Sequence, residues 1–200
     1  MRALSVSLPL LPLFDGPLRR GVGLGPGFID FDGVVVALTA PGAARMPNGV
    51  ECSLRVERGA AVWIGAGRLQ SNGFQVLPGP GWDPVPQALV RLSIERSFTP
   101  DPYRLAGRGG GLTPAGDDLL AGYAAGLTLF QGRRAEAAWI ASTAGPRTTS
   151  LAATLLKHAA RGELPEPAHA LLERGDPGPL RRFGHSSGGA LLVGLALGCC

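Results

Sequence analysis

The stretch PGPGWDPVPQ, residues 78–87, separates two parts of the chain that differ in sequence pattern. Four of its ten residues are proline. Proline has no backbone N–H and its ring clashes with the preceding helical turn, so neither a central strand nor a helix interior accommodates this run. We interpret it as a connection between a β region, residues 1–79, and a helical region with glycine-rich motifs, residues 80–200. We expect both to belong to one compact unit.

Residues 1–79 contain short apolar stretches separated by Gly, Pro, Asn and Asp, which is typical of short strands joined by turns. Asn48-Gly49 and Asn72-Gly73 are turn signals because both residue types tolerate positive φ. The string GVGLGPG at residues 21–27 resembles a dinucleotide-binding fingerprint only loosely, and we interpret it as a loop. The predicted strands cover residues 4–8, 34–38, 50–56, 61–64 and 74–77.

After residue 87 the apolar residues recur at spacings of three and four, which predicts helices. These cover residues 89–94, 119–130, 135–141, 151–160, 168–172 and 190–197. The predicted fold class is α+β, with an N-terminal small β-barrel or curled sheet of short strands packed on a C-terminal bundle of five or six short helices.

Composition limits the classes of function. Hydrophobic residues make up 45% of the 200 residues and charged residues 17%, so the chain can bury a sizeable core. The net charge of +4 comes from scattered arginines, which argues against nucleic-acid binding. No apolar run is long enough to span a bilayer. Cys52, Cys199 and Cys200 lack metal-ligand spacing and suggest no disulfide framework, so we expect a cytoplasmic protein. We expect no metal or cofactor, since the adjacent carboxylates Asp117 and Asp118 alone are weak evidence for a Mg²⁺ site.

Three Gly/Ser/Thr-rich stretches each precede a predicted helix, and we call them the first, second and third helix entrances. The first entrance is GGGLTPAGDD at residues 109–118. Thr113 fits an N-cap, with Pro114 at the first helical position. The backbone amides of Gly111–Gly116 are a candidate anion cradle, because a helix N-terminus offers unpaired donors and a positive dipole. Asp117 and Asp118 are candidate catalytic carboxylates; the alternative is that they only complement the dipole.

The second stretch is GPRTTS at residues 145–150. Arg147, Thr148 and Thr149 are a candidate clamp for a carboxylate or phosphate, because guanidinium binds such groups in a bidentate manner. A threonine N-cap alone would not explain Arg147, whose charge opposes the dipole expected there. A nearby Asp or Glu of the protein is the alternative partner.

The third stretch is GHSSGG at residues 184–189. His185 is a candidate for proton transfer, because a helix N-terminus favours neutral imidazole. Ser186, Ser187 and Gly188 are candidate substrate-binding residues, whereas His158 and His169 lie in helical patterns that favour structural roles.

Glycines at i, i+4 spacing occur in two of the predicted helices. Gly122 and Gly126 share one helix face, and Gly194 and Gly198 share a face of another. We predict that these helices pack side by side. If they run parallel, Asp117, Asp118 and His185 gather at one end; if antiparallel, they lie about a helix length apart.

Three strings in this sequence resemble a bacterial family that includes the AllH subunit of the oxamate carbamoyltransferase of anaerobic allantoin degradation. They are GLTPAGDDLLAG at 111–122, RTTSLAATLLKHAARGE at 147–163 and GHSSGGALLVGLALG at 184–198. The resemblance implies carbamoyl transfer between carbamoyl phosphate and oxamate or a similar small carboxylate, or the reverse phosphorolysis of oxalurate, and it implies partner subunits. Two alternatives remain open: a non-catalytic subunit, and an enzyme that acts on another small anionic metabolite.

Overall fold

The computed structural model describes residues 1–93 and 98–199, so Cys200 lies outside the described residues. The chain divides into two compact units, Met1–Pro84 and Val85–Cys200. The first is built on a curled sheet and the second is helical, which confirms the predicted α+β class.

The first unit, which the structure describes throughout, contains one nine-stranded sheet of order β8-β7-β6-β2-β3-β4-β5-β1-β9. Most neighbours are antiparallel, while β4 with β5 and β1 with β9 are parallel. A short helix, α1 (Leu11–Asp15), follows β1, and its Phe14 is buried in the core of the sheet. The strands are β1 (Ser5–Ser7), β2 (Arg19–Gly25), β3 (Phe28–Phe31), β4 (Val34–Thr39), β5 (Gly49–Glu51), β6 (Ala61–Gly65), β7 (Arg68–Ser71), β8 (Phe74–Val76) and β9 (Gly81–Trp82).

The interpretation of residues 21–27 as a loop is wrong, because most of this stretch belongs to β2. Two positions of this strand require glycine because a larger residue would clash with its neighbours. A Cβ on Gly21 would lie 2.5 Å from the Phe31 ring, and one on Gly23 would overlap the carbonyl oxygen of Glu57. The sequence pattern also missed β3, β7 and β9, and the strand predicted over residues 50–56 ends at Glu51. The Asn72-Gly73 turn is confirmed, since it joins β7 to β8.

The second unit consists of helices, of which five in its described part have nine or more residues. The helix predicted over residues 89–94 is wrong for residues 89–93, and Ile94 lies outside the described residues. This segment is irregular: the Val90 amide donates to the Leu172 carbonyl oxygen at 2.6 Å. The helices are α2 (Pro102–Leu105), α3 (Ala115–Gln131), α4 (Arg134–Ala144), α5 (Ser150–Ala159), α6 (Glu166–Arg174), α7 (Gly178–Arg181) and α8 (Ser187–Gly198).

Helix α3 is the central helix of this unit, because it contacts α4, α5 and α8 and is buried along most of its length. Its Leu120 and Leu127 side chains join the unit's hydrophobic core. The small residues of α3, which are Ala and Gly at many positions, let neighbouring helices approach closely from several sides. Among the described residues, no helix combines the length and the apolar character that crossing a membrane requires.

Candidate functional site

Helices α3 and α8 run parallel, so their N-termini lie at the same end of the unit. A Cβ on Gly122 would lie 3.0 Å from Cα of Gly194, and one on Gly126 would lie 2.7 Å from Cα of Gly198. The earlier glycine of α3 meets the earlier glycine of α8, and the later glycine meets the later one. The two helices therefore run in the same direction, and the antiparallel alternative is excluded. The stretches that contain Asp117, Asp118 and Ser187 therefore meet.

Helix α3 begins at Ala115, with Pro114 as the N-cap. This is four residues before the start predicted from apolar spacing and one residue after the start that an N-cap at Thr113 implies. The prediction that Thr113 caps this helix is wrong, because the Pro114 carbonyl oxygen accepts the amides of Asp117 and Asp118 at 2.9 and 3.1 Å. The Thr113 hydroxyl instead lies 3.1 Å from the Ser187 hydroxyl. Thr113 thus connects the first entrance to the third.

Asp117 ties the start of α3 to two other segments. Its carboxylate accepts the Gly107 amide at 3.0 Å and the Thr148 hydroxyl at 2.5 Å, and the residue is only 2% exposed. Burial raises the pKa of Asp117, while the hydrogen bonds from Thr148 and Gly107 lower it in part. With its oxygens occupied by protein donors, Asp117 fits a positioning role.

Asp118 has a different environment, although it is the next residue. It is 9% exposed, and its Oδ2 atom is buried without a hydrogen-bond partner in the described structure. Burial raises the pKa of Asp118 to about 6, the negative charge of Asp117 adds to this increase, and a hydrogen bond with Ser187 opposes it. A carboxyl group with a free buried oxygen and such a pKa can accept or release a proton near neutral pH.

The start of α5 is joined to the start of α3 by two threonines. Thr148 bonds to Asp117, as described above, and the Thr149 hydroxyl donates to the Leu112 carbonyl oxygen at 2.5 Å. Thr149 also caps α5, because its hydroxyl accepts the Ala152 amide at 3.1 Å. The structure therefore brings the second entrance to the first, and both threonines use their hydroxyl groups inside the protein.

Arg147 is exposed and its guanidinium contacts neither of the two carboxylates. Its Nη1 donates to the Thr143 carbonyl oxygen at 2.7 Å, and its guanidinium lies 4.9 Å from the centre of the Tyr103 ring. The residue ends a short 3-10 turn, Gly145–Arg147, that follows α4. Its charge therefore complements the C-terminal carbonyls of α4, which explains the residue without an anionic ligand.

The predicted binding glycines differ in their environments. Gly116 and Gly188 are buried, and a Cβ on either would overlap a carbonyl oxygen, that of Leu105 or that of Leu180. Close packing therefore requires glycine at both positions. Gly111 is exposed, has a φ of +89° and borders open space, so its backbone conformation is the reason for glycine there.

The start of α8 is the most open of the three entrances. His185 and Ser186 are exposed, and the described residues offer no hydrogen-bond partner to the His185 ring or to the amides of Ser187 and Gly189. By contrast, the Gly116 amide at the start of α3 is occupied by the Arg108 carbonyl oxygen. Anion binding by backbone amides therefore fits α8 better than α3.

The sequence pattern missed Gly107, whose amide holds Asp117. Its φ is +70°, and a Cβ there would lie 2.6 Å from the Arg147 carbonyl oxygen, so only glycine fits well. The sequence contains a sign of this role: Gly107 is a single glycine that follows α2 and precedes the run Gly109–Gly111, as expected for a turn that needs positive φ. No cluster of three or more His, Cys, Asp or Glu residues with metal-binding geometry occurs within residues 1–93 and 98–199.

The chain was compared with known protein families, curated proteins and solved structures. The family model described as oxamate carbamoyltransferase subunit AllH matches residues 105–199, which include all three entrances. Neither the curated proteins nor the solved structures contain a match to the chain. The family match confirms the resemblance carried by the three strings: residues 105–199, which contain the site built around Asp117 and Asp118, match the AllH family of oxamate carbamoyltransferase subunits.

Proposed function

We propose that this protein takes part in carbamoyl transfer between carbamoyl phosphate and oxamate, as a subunit of a carbamoyltransferase complex, and that Asp118 is its catalytic base. The family description associates the chain with oxamate carbamoyltransferase. The observation that carries the residue assignment is the buried Oδ2 atom of Asp118, which has no hydrogen-bond partner in the described structure.

In the proposed step the amide nitrogen of oxamate attacks the carbonyl carbon of carbamoyl phosphate. A C–N bond forms, the bond from that carbon to the phosphate oxygen breaks, and inorganic phosphate leaves with its electron pair. The attacking nitrogen must lose one proton, and the Asp118 carboxylate accepts it. The amide N–H of oxamate would also satisfy the unpartnered oxygen of Asp118 in the bound state.

The other entrance residues have supporting roles in this proposal. The free amides of Ser187 and Gly189 at the start of α8 bind a carboxylate or phosphate oxygen, helped by the helix dipole. Asp117 and Thr148 position the start of α3, and thereby Asp118. His185, exposed beside the α8 entrance, transfers the proton between Asp118 and solvent.

Phosphate release from carbamoyl phosphate in the presence of oxamate tests this proposal. It should be measured with the chain alone and mixed with the products of the neighbouring genes, because the family description names a subunit. We expect Asp118→Asn to abolish turnover, and Asp15→Asn, which changes an aspartate of the other unit, to leave it unchanged. Turnover that Asp118→Asn does not alter would contradict the assignment.

A non-catalytic subunit is the second candidate. This candidate is favoured by the hydrogen bonds of Asp117, Thr148 and Thr149. All of them are made within the chain, and they join the start of α3 to the start of α5 as structural contacts. In that case the mixture would turn over normally with Asp118→Asn, whereas Thr148→Val would weaken association with the partner subunit in gel filtration.

A further inference from the structure

A cavity of about 510 Å³ lies between α4 and α5, and it is lined by none of the site residues described above. Its volume is in the range of small-molecule sites, which are about 300–1,000 Å³. Four of the lining residues are small, three alanines and one serine, and the other three are positively charged. The lining residues are Arg134, Ala138, Ala141, Ser142, Lys157, Ala160 and Arg161.

Two of the three cations have no counter-charge in the described structure. Neither the guanidinium group of Arg134 nor the ammonium group of Lys157 makes a hydrogen bond or ion pair with a described residue. Arg161 is held in place, since its guanidinium donates to the Glu163 carboxylate at 2.7 and 2.9 Å. The cavity therefore has one fixed guanidinium and two unpaired positive charges.

Helix electrostatics explain one of these charges but not the other. Lys157 lies in the last turn of α5, where a cation is favourable. Arg134 is the first residue of α4, where a cation is unfavourable, and the only acidic residue of that first turn, Glu136, forms its ion pair with Arg133. An anion in the cavity would compensate Arg134 in a way that the chain itself does not.

We propose that this cavity binds a phosphorylated small molecule that carries at least two negative charges and a small apolar body. Arg134 binds phosphate oxygens with its bidentate guanidinium, and Lys157 adds a point charge. Ala138, Ala141 and Ala160 contact the apolar body. Since the lining excludes Asp117, Asp118 and His185, this site is independent of the proposed carbamoyl-transfer site.

Isothermal titration calorimetry of the full chain at fixed ionic strength tests the proposal, with AMP, adenosine and inorganic pyrophosphate as probes. We expect AMP to bind and adenosine not to bind, because adenosine lacks the phosphate. The double variant Arg134→Ala/Lys157→Ala should lose AMP affinity by about tenfold or more. The matched control, Arg181→Ala, removes an exposed arginine of α7 and should bind AMP as the unchanged chain does.

A second variant separates the apolar body from the charges. Ala138 is exposed on α4, so Ala138→Leu narrows the cavity without disturbing the core or the charge. It should weaken AMP more than pyrophosphate. The proposal is overturned by no AMP binding at millimolar concentration, by equal affinity for adenosine and AMP, or by AMP affinity that the double variant retains.

Discussion

Asp117 and Asp118 are chemically identical neighbours, and their surroundings give them different roles. Asp117 accepts hydrogen bonds from the Gly107 amide and the Thr148 hydroxyl, which offset part of the increase in its pKa that burial causes. Asp118 keeps one buried oxygen without a partner among the described residues, and burial raises its pKa to about 6. Pairs of titratable groups with such different environments are typical of sites that transfer protons.

Asp118→Asn should stabilise the protein at alkaline pH. The folded-state pKa of Asp118 is about 6, against an ordinary value of 3.8, because burial penalises the charged form. The folded state therefore binds more protons between these values, and the ionised group lowers stability above about pH 6. We expect the variant to gain about 1–3 kcal/mol at pH 8 and to lose this advantage near pH 4.

Urea unfolding at both pH values measures this effect. Asp15→Asn serves as the control, since it should unfold like the unchanged chain at each pH. A stability gain for Asp118→Asn that is the same at pH 4 and pH 8 would show that ionisation of Asp118 is not its cause.

Thr148→Val should destabilise the chain by about 1–3 kcal/mol, because it leaves the buried Asp117 carboxylate without its hydroxyl donor. Ser142→Ala is a suitable control, as the Ser142 hydroxyl is exposed and bonds only to the Trp139 carbonyl oxygen of its own helix. Chemical denaturation compares the two. Equal stability of both variants would remove the structural role assigned to Thr148.

At the scale of elements, the parallel pair of α3 and α8 determines where the candidate site lies. Glycines on both helices let the backbones touch, and the contact fixes both direction and register. The two N-termini are thereby placed side by side, and Thr113 and Ser187 can bond. The site is a consequence of this helix packing.

Gly194→Ala should destabilise the protein, by about 1–3 kcal/mol, because the added Cβ would overlap the Leu119 carbonyl oxygen and push the helices apart. Gly189→Ala on the same helix borders open space, so it should be neutral or stabilise by up to about 1 kcal/mol through helix propensity. Thermal unfolding of both variants gives the comparison. A Gly194→Ala protein as stable as the Gly189→Ala protein would contradict this packing.

At the scale of the whole molecule, each of the two units has its own hydrophobic core. The family match lies inside the second unit, whose core includes Leu120, Leu156 and Leu195. We therefore expect residues 85–200, produced alone, to unfold cooperatively with a helical circular dichroism spectrum. A fragment that shows no cooperative transition would mean that this unit depends on residues 1–84.

Much of the architecture could be predicted because it depends on local patterns. Helical spacing located α3, α4, α5, α6 and α8, and the Asn72-Gly73 turn located a hairpin. The strand β2 could not be found in this way, since its glycines are required by Phe31 and Glu57, which are distant in sequence. The packing requirement for glycine at Gly116 and Gly188 likewise comes from the carbonyl oxygens of Leu105 and Leu180, which the local motifs do not reveal.

The sequence by itself determined the α+β class, the three polar helix entrances and the family resemblance, because spacing, turn residues and motifs are local properties. Only the tertiary structure decided that α3 and α8 are parallel, that the Arg147 guanidinium lies against the Tyr103 ring, and that Asp118 rather than Asp117 keeps a free oxygen. These outcomes depend on which atoms meet across long separations in the chain. The direction of the helices, the burial of the side chains and their hydrogen-bond partners all arise from packing. Packing joins distant parts of the chain, so no short stretch of sequence encodes it.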